Sequence, residues 1–429
     1  MRQSVRRGAG LLATVAMGVA LAGVGVAGPS GAATTRTASA PGVTPSTITL
    51  GFITSVTGIA SSGFSDGAGG AQARIALQNA RGGVDGRKLK LVSKDDASSP
   101  TQGLAAGQNF ANGGVFGVME DSAFSFVGTT PLSKAGVPVT GFAFDGPEWI
   151  EPGSTNMFSF VPPYPASKFN GSLYNYDYFG PFAKQIGITK LAGLAYGISP
   201  SAIGALQGEL TSAKLHGIST CYENLTVPFG GVDFTADALQ IKAGGCNGVT
   251  APFVDSSDVA LSQAVKNAGI KAKQIYNTGY DQSVLSDPSA AAAYNGDYLT
   301  NPVNFTTPNK ATKAMLAALS KYDPSYKGGV PDFGTWVAYV ATDLMIRGLQ
   351  LAGANPTQPS FISHLHKVNN YNAGGILPAA TPFSLKDFGK LSMLPARYCQ
   401  YFIQVSNGKF VSTNGGKPYC GARMKVTSS

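Results

Sequence analysis

The sequence predicts an α/β protein built as two similar halves, each with a parallel-sheet core and crossover helices. Three observations lead there. Short, nearly continuous apolar strands alternate with longer segments that read as helices, the pattern of strand–helix–strand units. The alternation restarts after a Pro-rich joint at Pro162-Pro163-Tyr164-Pro165. With 429 residues the chain is long enough for two or three domains, each with its own core.

Taken in order, Thr47 to Ile53 reads as a buried strand, and a small-residue loop, Thr54 to Ser65, leads to a helix from Ala68 to Asn79. Gly82-Gly83-Val84-Asp85-Gly86 is a turn before the strand Leu89 to Val92. Asp96 to Pro100 opens a helix running through Asn112, and Val115 to Met119 is a third strand. A helix ending at Leu132 to Ala135 and the strand Val137 to Val139 close the first half. In the second half a strand at Asn156 to Val161 precedes the joint, and a helix is expected from Lys168 to Ile186. Strands at Leu191–Ala195, Ile218–Leu225, Gly248–Val254 and Ile275–Thr278 alternate with helices at Ile203–His216, Phe234–Ala243 and Val259–Ala268. A loop with Pro302 and Pro308 leads to helices at Lys310–Lys321 and Thr335–Leu351. The chain ends in a strand at Tyr401–Val405, a turn, and Lys409–Val411.

Composition narrows the classes of function. Only 13% of residues are charged, about half the usual share, and the 55 glycines are scattered without a three-residue period, which excludes collagen and argues against disorder. Residues 1–40 differ from the rest: Arg2, Arg6 and Arg7 precede an apolar run from Leu11 to Ala27 and then small residues, as in a cleaved secretory signal peptide. An uncleaved membrane anchor is the rival reading. Without its four arginines the remainder carries 28 bases against 23 acids, a charge of +5. The bases are dispersed, so nucleic acid is not expected as a partner. No cysteine precedes Cys221, so an N-terminal lipid anchor is not expected. In an oxidising compartment the four cysteines should pair, and Cys221–Cys246 with Cys399–Cys420 is preferred because each pair lies within one segment. No metal-ligand spacing is present, and neither a metal nor a cofactor is expected.

Two motifs carry chemistry on paper. Gly63-Phe64-Ser65-Asp66-Gly67 fits the nucleophile-elbow pattern GxSxG, but the residues before it read as loop rather than strand. A secreted serine hydrolase using Ser65 therefore stands as the alternative from a different class, separable by Ser65→Ala. Asp95-Asp96 reads as a strand end and helix cap sooner than as a catalytic or metal pair. The loops after the strands say more. Open parallel sheets place ligands at the carboxyl ends of their strands. Ser55 and Thr57, then Ser122 and Phe124, then Ala143, Phe144 and Asp145 follow strands of the first half, while Tyr196, Phe253, Tyr280 and Asp281 follow strands of the second. Hydroxyls, aromatics and carboxylates thus meet at one edge, in a cleft between two lobes.

The opening I-T-L-G-F-I-T-S-V-T-G, the block R-G-G-V-D-G-R-K-L-K-L-V-S-K-D-D-A-S-S-P and the closing Y-F-I-Q-V-S-N-G-K-F-V resemble the branched-chain amino acid binding proteins of ABC importers, the type I periplasmic binding proteins. The resemblance spans residues 46–412. It implies two Rossmann-like lobes joined by three crossovers, 46–161 plus 303–381 and 162–302 plus 382–425, closing on a small ligand. It implies an exported, monomeric binding protein without catalysis that docks on an ABC permease; a sensor or scavenger on the same fold is the variant without transport. The ligand classes implied are a branched-chain or related amino acid, an amide or an aromatic compound. Ser122 falls where the family has a serine that holds the α-carboxylate, Ala143-Phe144-Asp145 where a small-small-Thr segment completes that grip, Phe253-Val254 near a tyrosine, and Asp281 near the acid that holds the ammonium. Asp145 in place of a hydroxyl would repel a carboxylate. Phe124, Phe144, Phe253 and Tyr280 would suit a flat or apolar ligand.

Overall fold

The computed structural model describes residues 40–143, 146–163 and 167–427. The leader segment, and with it the expected signal peptide, lies outside them. Among the described residues no helix is long and apolar enough to cross a membrane.

The first sheet has five parallel strands: β1 (Thr47–Thr54), β2 (Lys88–Asp95), β3 (Val118–Asp121), β4 (Val139–Gly141) and β5 (Met157–Ser159), in the order β2-β1-β3-β4-β5. Between them run α1 (Ser61–Phe64), α2 (Gly67–Ala80), α3 (Pro100–Ala111) and α4 (Ser125–Lys134). Both faces of this sheet are covered. Ile53, Val118, Val139 and Met157 pack with Phe110, Leu132 and Trp149 on one side, while Ile48, Leu50, Phe52 and Met119 join the larger core on the other. That double burial is why these strands read as apolar runs rather than alternating patterns.

The second sheet takes β6 (Lys168–Phe169), β7 (Ser172–Tyr176), β8 (Lys190–Tyr196), β9 (Ser219–Val227), β10 (Gly248–Ala251), β11 (Lys273–Tyr276) and β12 (Tyr298–Asn301). Its helices are α5 (Phe179–Gln185), α6 (Pro200–Leu215), α7 (Thr235–Ala243), α8 (Asp255–Asn267), α9 (Gln282–Ser286) and α10 (Pro288–Tyr294). The chain then returns to the first sheet with α11 (Lys310–Tyr322), α12 (Phe333–Ala352) and α13 (Gln358–Leu365), where α12 lies on α2, β3 and β4. A last passage brings β13 (Arg397–Ser406), β14 (Lys409–Ser412) and β15 (Tyr419–Lys425) into the second sheet, whose order is β6-β7-β15-β13-β12-β11-β10-β8-β9 with β14 on β13. Strands β8 to β12 are parallel, and β13 joins them antiparallel. The chain therefore passes between the sheets three times, as the resemblance implied.

One element differs from the sequence reading. Residues 168–176 form a β-hairpin rather than the start of a helix, and only Phe179–Gln185 is helical. The turn is Asn170-Gly171, both at positive φ (51° and 73°), the strand-compatible geometry that Asn-Gly adopts at least cost. β7 is then held by the C-terminal strand β15.

Both expected disulfides are present. Cys221–Cys246 ties β9 to the start of β10, and Cys399–Cys420 joins directly opposed residues of β13 and β15.

Candidate functional site

The carboxyl ends of the parallel strands in both sheets border a cavity of about 120 Å³. From the first sheet come Ala123 after β3, Phe142 and Ala143 after β4, and Phe333 at the start of α12. From the second come Tyr196 at the end of β8, Phe229 after β9, Phe253 and Val254 after β10, and Asn277 and Thr278 after β11. Glu209, facing in from α6, and Gln400 from β13 complete its polar side.

Aromatic rings hold the two sides together. Phe124, on the loop after β3, lies 4.9 Å from Phe229 between ring centroids, and Phe229 lies 4.8 Å from Tyr196. Tyr196 stacks on Phe253 at 4.3 Å, and Phe234 stacks on the same ring at 5.5 Å. Offset ring pairs of this kind add about 0.5–1.5 kcal/mol each beyond the area they bury. The Tyr196 hydroxyl accepts the Val254 backbone N–H at 3.2 Å, which fixes the loop after β10 to the end of β8.

The residues singled out from sequence fall into three places. Ala143, Tyr196 and Phe253 line the cavity, and Phe124 packs on the lining ring of Phe229. Ser55 and Ser122 sit behind the lining in a buried network. Ser122 donates to Asp96, the Phe124 N–H donates to Ser122 Oγ at 2.9 Å, and the Ala123 N–H donates to Ser55 Oγ at 3.4 Å. Burial raises the Asp96 carboxyl above its usual range despite these donors. Thr57, Tyr280 and Asp281 lie elsewhere. Thr57 donates to Asp95 at 2.6 Å in the loop after β1, and the Tyr280 hydroxyl accepts the Phe305 and Thr306 N–H groups at 3.0 and 2.9 Å. Asp281 caps α9 and borders a second hollow of about 370 Å³ with Asp66 and Asp332. Burial, then the charges of Asp281 and Asp66, push Asp332 up to about 8. Among the described residues no cluster of three or more His, Cys, Asp or Glu is placed to hold a metal ion. Phe144 and Asp145 are outside the described residues.

Among the cavity residues that escaped the sequence reading are Phe229, Glu209, Asn277, Phe333 and Gln400. Phe229 carried the signal that found the others, an aromatic in a Pro-Phe-Gly-Gly loop directly after a strand. Glu209 carried only a faint one, an acid between Leu206 and Leu210 on a helix face otherwise made of small and apolar residues.

The periplasmic binding protein family model matches residues 47–409, which is most of the chain. This chain is a member of the periplasmic binding protein family. Among curated relatives, Leu/Ile/Val-binding protein homolog 1 of Brucella abortus (strain 2308) is 26% identical over 294 residues, covering 67% of this chain and 74% of the relative. Two solved structures share the fold at low identity. The fatty acid ABC transporter substrate-binding protein from Thermomonospora curvata has a TM-score of 0.70 at 18% identity, over 87% of this chain and 93% of its own. The leucine-binding protein LivK from Thermotoga maritima has a TM-score of 0.69 at 14% identity, over 85% and 97%.

Like its relatives, this periplasmic binding protein is not an enzyme. Ser65 lies in the turn between α1 and α2 with no strand leading into it. The three histidines are engaged away from it. His216 pairs with Asp177, His364 Nδ1 bonds the Ser360 carbonyl, and His366 bonds the carbonyls of Phe383 and Thr155.

Proposed function

We propose that this periplasmic binding protein is exported and serves as the substrate-binding component of an ABC importer. It closes two lobes, 46–161 plus 303–381 and 162–302 plus 382–425, around a small ligand and presents it to a membrane permease. The observation that carries the reading is the cavity itself. It lies at the carboxyl ends of both sheets, where an open α/β fold leaves backbone and loop groups to meet a ligand, and both sheets contribute its walls. Ala143, Tyr196 and Phe253, with Phe142, Phe229 and Phe333, form the wall against which the body of the ligand packs. Phe124, Ser55 and Ser122 support that wall from behind. The aromatic share of the lining favours a flat or branched apolar body, among which branched-chain and aromatic compounds are the first to test.

A thermal-shift panel on residues 41–429 tests the binding role, with amino acids, amides, amines, carboxylates and sugars at millimolar concentration. A ligand at ~1,000 times its Kd adds about 4 kcal/mol to native stability, enough to move the melting temperature by several degrees. Deleting the chain from its cell and measuring uptake of that ligand tests transport. Unchanged uptake would leave a binder without an importer, a sensor or scavenger.

A further inference from the structure

The cavity wall is chemically two-sided. The rings of Phe142, Tyr196, Phe229, Phe253 and Phe333 face an acceptor-rich group of Glu209, Asn277 and Gln400. Glu209 is only 4% exposed. One carboxylate oxygen accepts the Thr250 hydroxyl at 2.7 Å, and the Asn277 side chain also hydrogen-bonds the carboxyl. Asn277 Oδ1 and Gln400 Oε1 are buried oxygens with no hydrogen-bond partner, and Gln400 is itself nine-tenths buried. Both side chains line the same cavity as Glu209, and a rotation of either amide would turn its unsatisfied oxygen towards a donor held there. Among the described residues lining the cavity there is no Lys, Arg or His to balance Glu209.

The same cavity is poorly equipped for an anion. Ser122, which the family resemblance pointed to for an α-carboxylate, is committed to Asp96 and does not line the cavity. The start of α6 borders the cavity, but Pro200 has no N–H and the Ala202 N–H is already taken by the Ser199 side chain. A carboxylate would therefore meet an unbalanced acid, with neutral amide and hydroxyl donors in the lining but no cation among the described residues there. An ammonium carries three donors and no acceptor, the complement of the Glu209 carboxylate and of the two amide oxygens of Asn277 and Gln400.

Building on the binding role above, we propose that the cavity takes a primary amine with an apolar aromatic or branched body. The ammonium sits on Glu209 with Asn277 Oδ1 as a second acceptor, Gln400 Oε1 takes a further donor, and the body lies among the rings. The reading differs from an amino-acid site in needing no carboxylate grip.

The test is titration of residues 41–429 by calorimetry and by the fluorescence of Trp336, whose ring is 5.5 Å from Phe333 and 6.0 Å from Phe142. The probes are 2-phenylethylamine and isopentylamine, their carboxylate counterparts 3-phenylpropanoate and 4-methylpentanoate, the neutral alcohols 2-phenylethanol and isopentanol, and the amino acids phenylalanine and leucine. At pH 8 at least one amine should bind tenfold or more tightly than its alcohol, with no detectable carboxylate binding. Glu209→Gln, close in shape, should weaken the amine thirtyfold or more and leave the alcohol within threefold. Carboxylates or amino acids binding as well as the amines, or unchanged amine affinity in Glu209→Gln, would overturn the ligand class and leave the binding role standing. If no probe of any charge binds, the ligand class and the cavity as a binding site for such bodies both fall.

Discussion

Glu209→Gln should also change how stability depends on pH, and the size of the effect can be worked from the structure. Burial, opposed by hydrogen bonds from Thr250 and Asn277, raises the Glu209 carboxyl from 4.5 to about 7. Between those values the native protein holds a proton that the unfolded chain has released, so unfolding becomes easier as pH rises, and the loss is complete above about 7. A pKa difference of about 2.5, at about 1.4 kcal/mol each, is about 3 kcal/mol. Glutamine does not titrate. Relative to the parent, the variant should therefore gain about 3 kcal/mol between pH 4.5 and pH 8, its carbonyl still accepting from Thr250. Asp255 and Asp332, raised by burial first and by neighbouring acids second to about 7 and about 8, lose stability in the same direction. They are present in both proteins and cancel in the comparison. Asp258 on α8 is the charged neighbour that feels Glu209, and its carboxyl should titrate lower in the variant. Urea unfolding followed by far-ultraviolet circular dichroism at both pH values, with equal slopes in the two proteins, measures the difference. A variant whose stability offset is the same at pH 4.5 and pH 8 would show that Glu209 titrates normally, and the account of its burial would be wrong.

Three further outcomes are expected. Cys221→Ser with Cys246→Ser, and separately Cys399→Ser with Cys420→Ser, should each lower stability by about 3 kcal/mol, since the bridges close loops of 25 and 21 residues; unfolding midpoints with and without reductant check this. Gly70→Ala should cost about 2 kcal/mol or more, because its Cβ would lie 2.0 Å from the Thr335 carbonyl oxygen where α2 meets α12; a neutral effect in a urea melt would mean that the two helices can separate freely. Phe229→Ala, which removes the half-buried ring between Phe124 and Tyr196, should weaken any cavity ligand at least tenfold and lower stability by about 1–2 kcal/mol, measured by titration and thermal melting.

The order of elements was legible because parallel strands buried on both faces leave apolar runs that stand out between helical stretches. The cysteine pairing was legible because each pair sits within one stretch of chain that folds on itself. The hairpin at 168–176 was not read, although Asn170-Gly171 marks its turn, because its short strands hold only by pairing with β15 some 250 residues later and the stretch taken alone passed for a helix. The strand-end rule found Ala143, Tyr196 and Phe253 because the parallel fold itself delivers those positions to one edge. It brought Tyr280 and Asp281 forward with the same force, yet the loop after β11 bends so that Tyr280 anchors the backbone at 305–306 and Asp281 caps α9. Glu209 lies in the middle of a helix, where only its apolar neighbours Leu206 and Leu210 set it apart from a solvated acid. Its burial, its place on the cavity and its raised pKa arise only when α6 packs against the second sheet. The sequence by itself thus determined the elements, their order and the strand-end edge at which the cavity lies. The tertiary structure alone decided which side chains line that cavity, because a cavity is the space left between elements far apart in the chain.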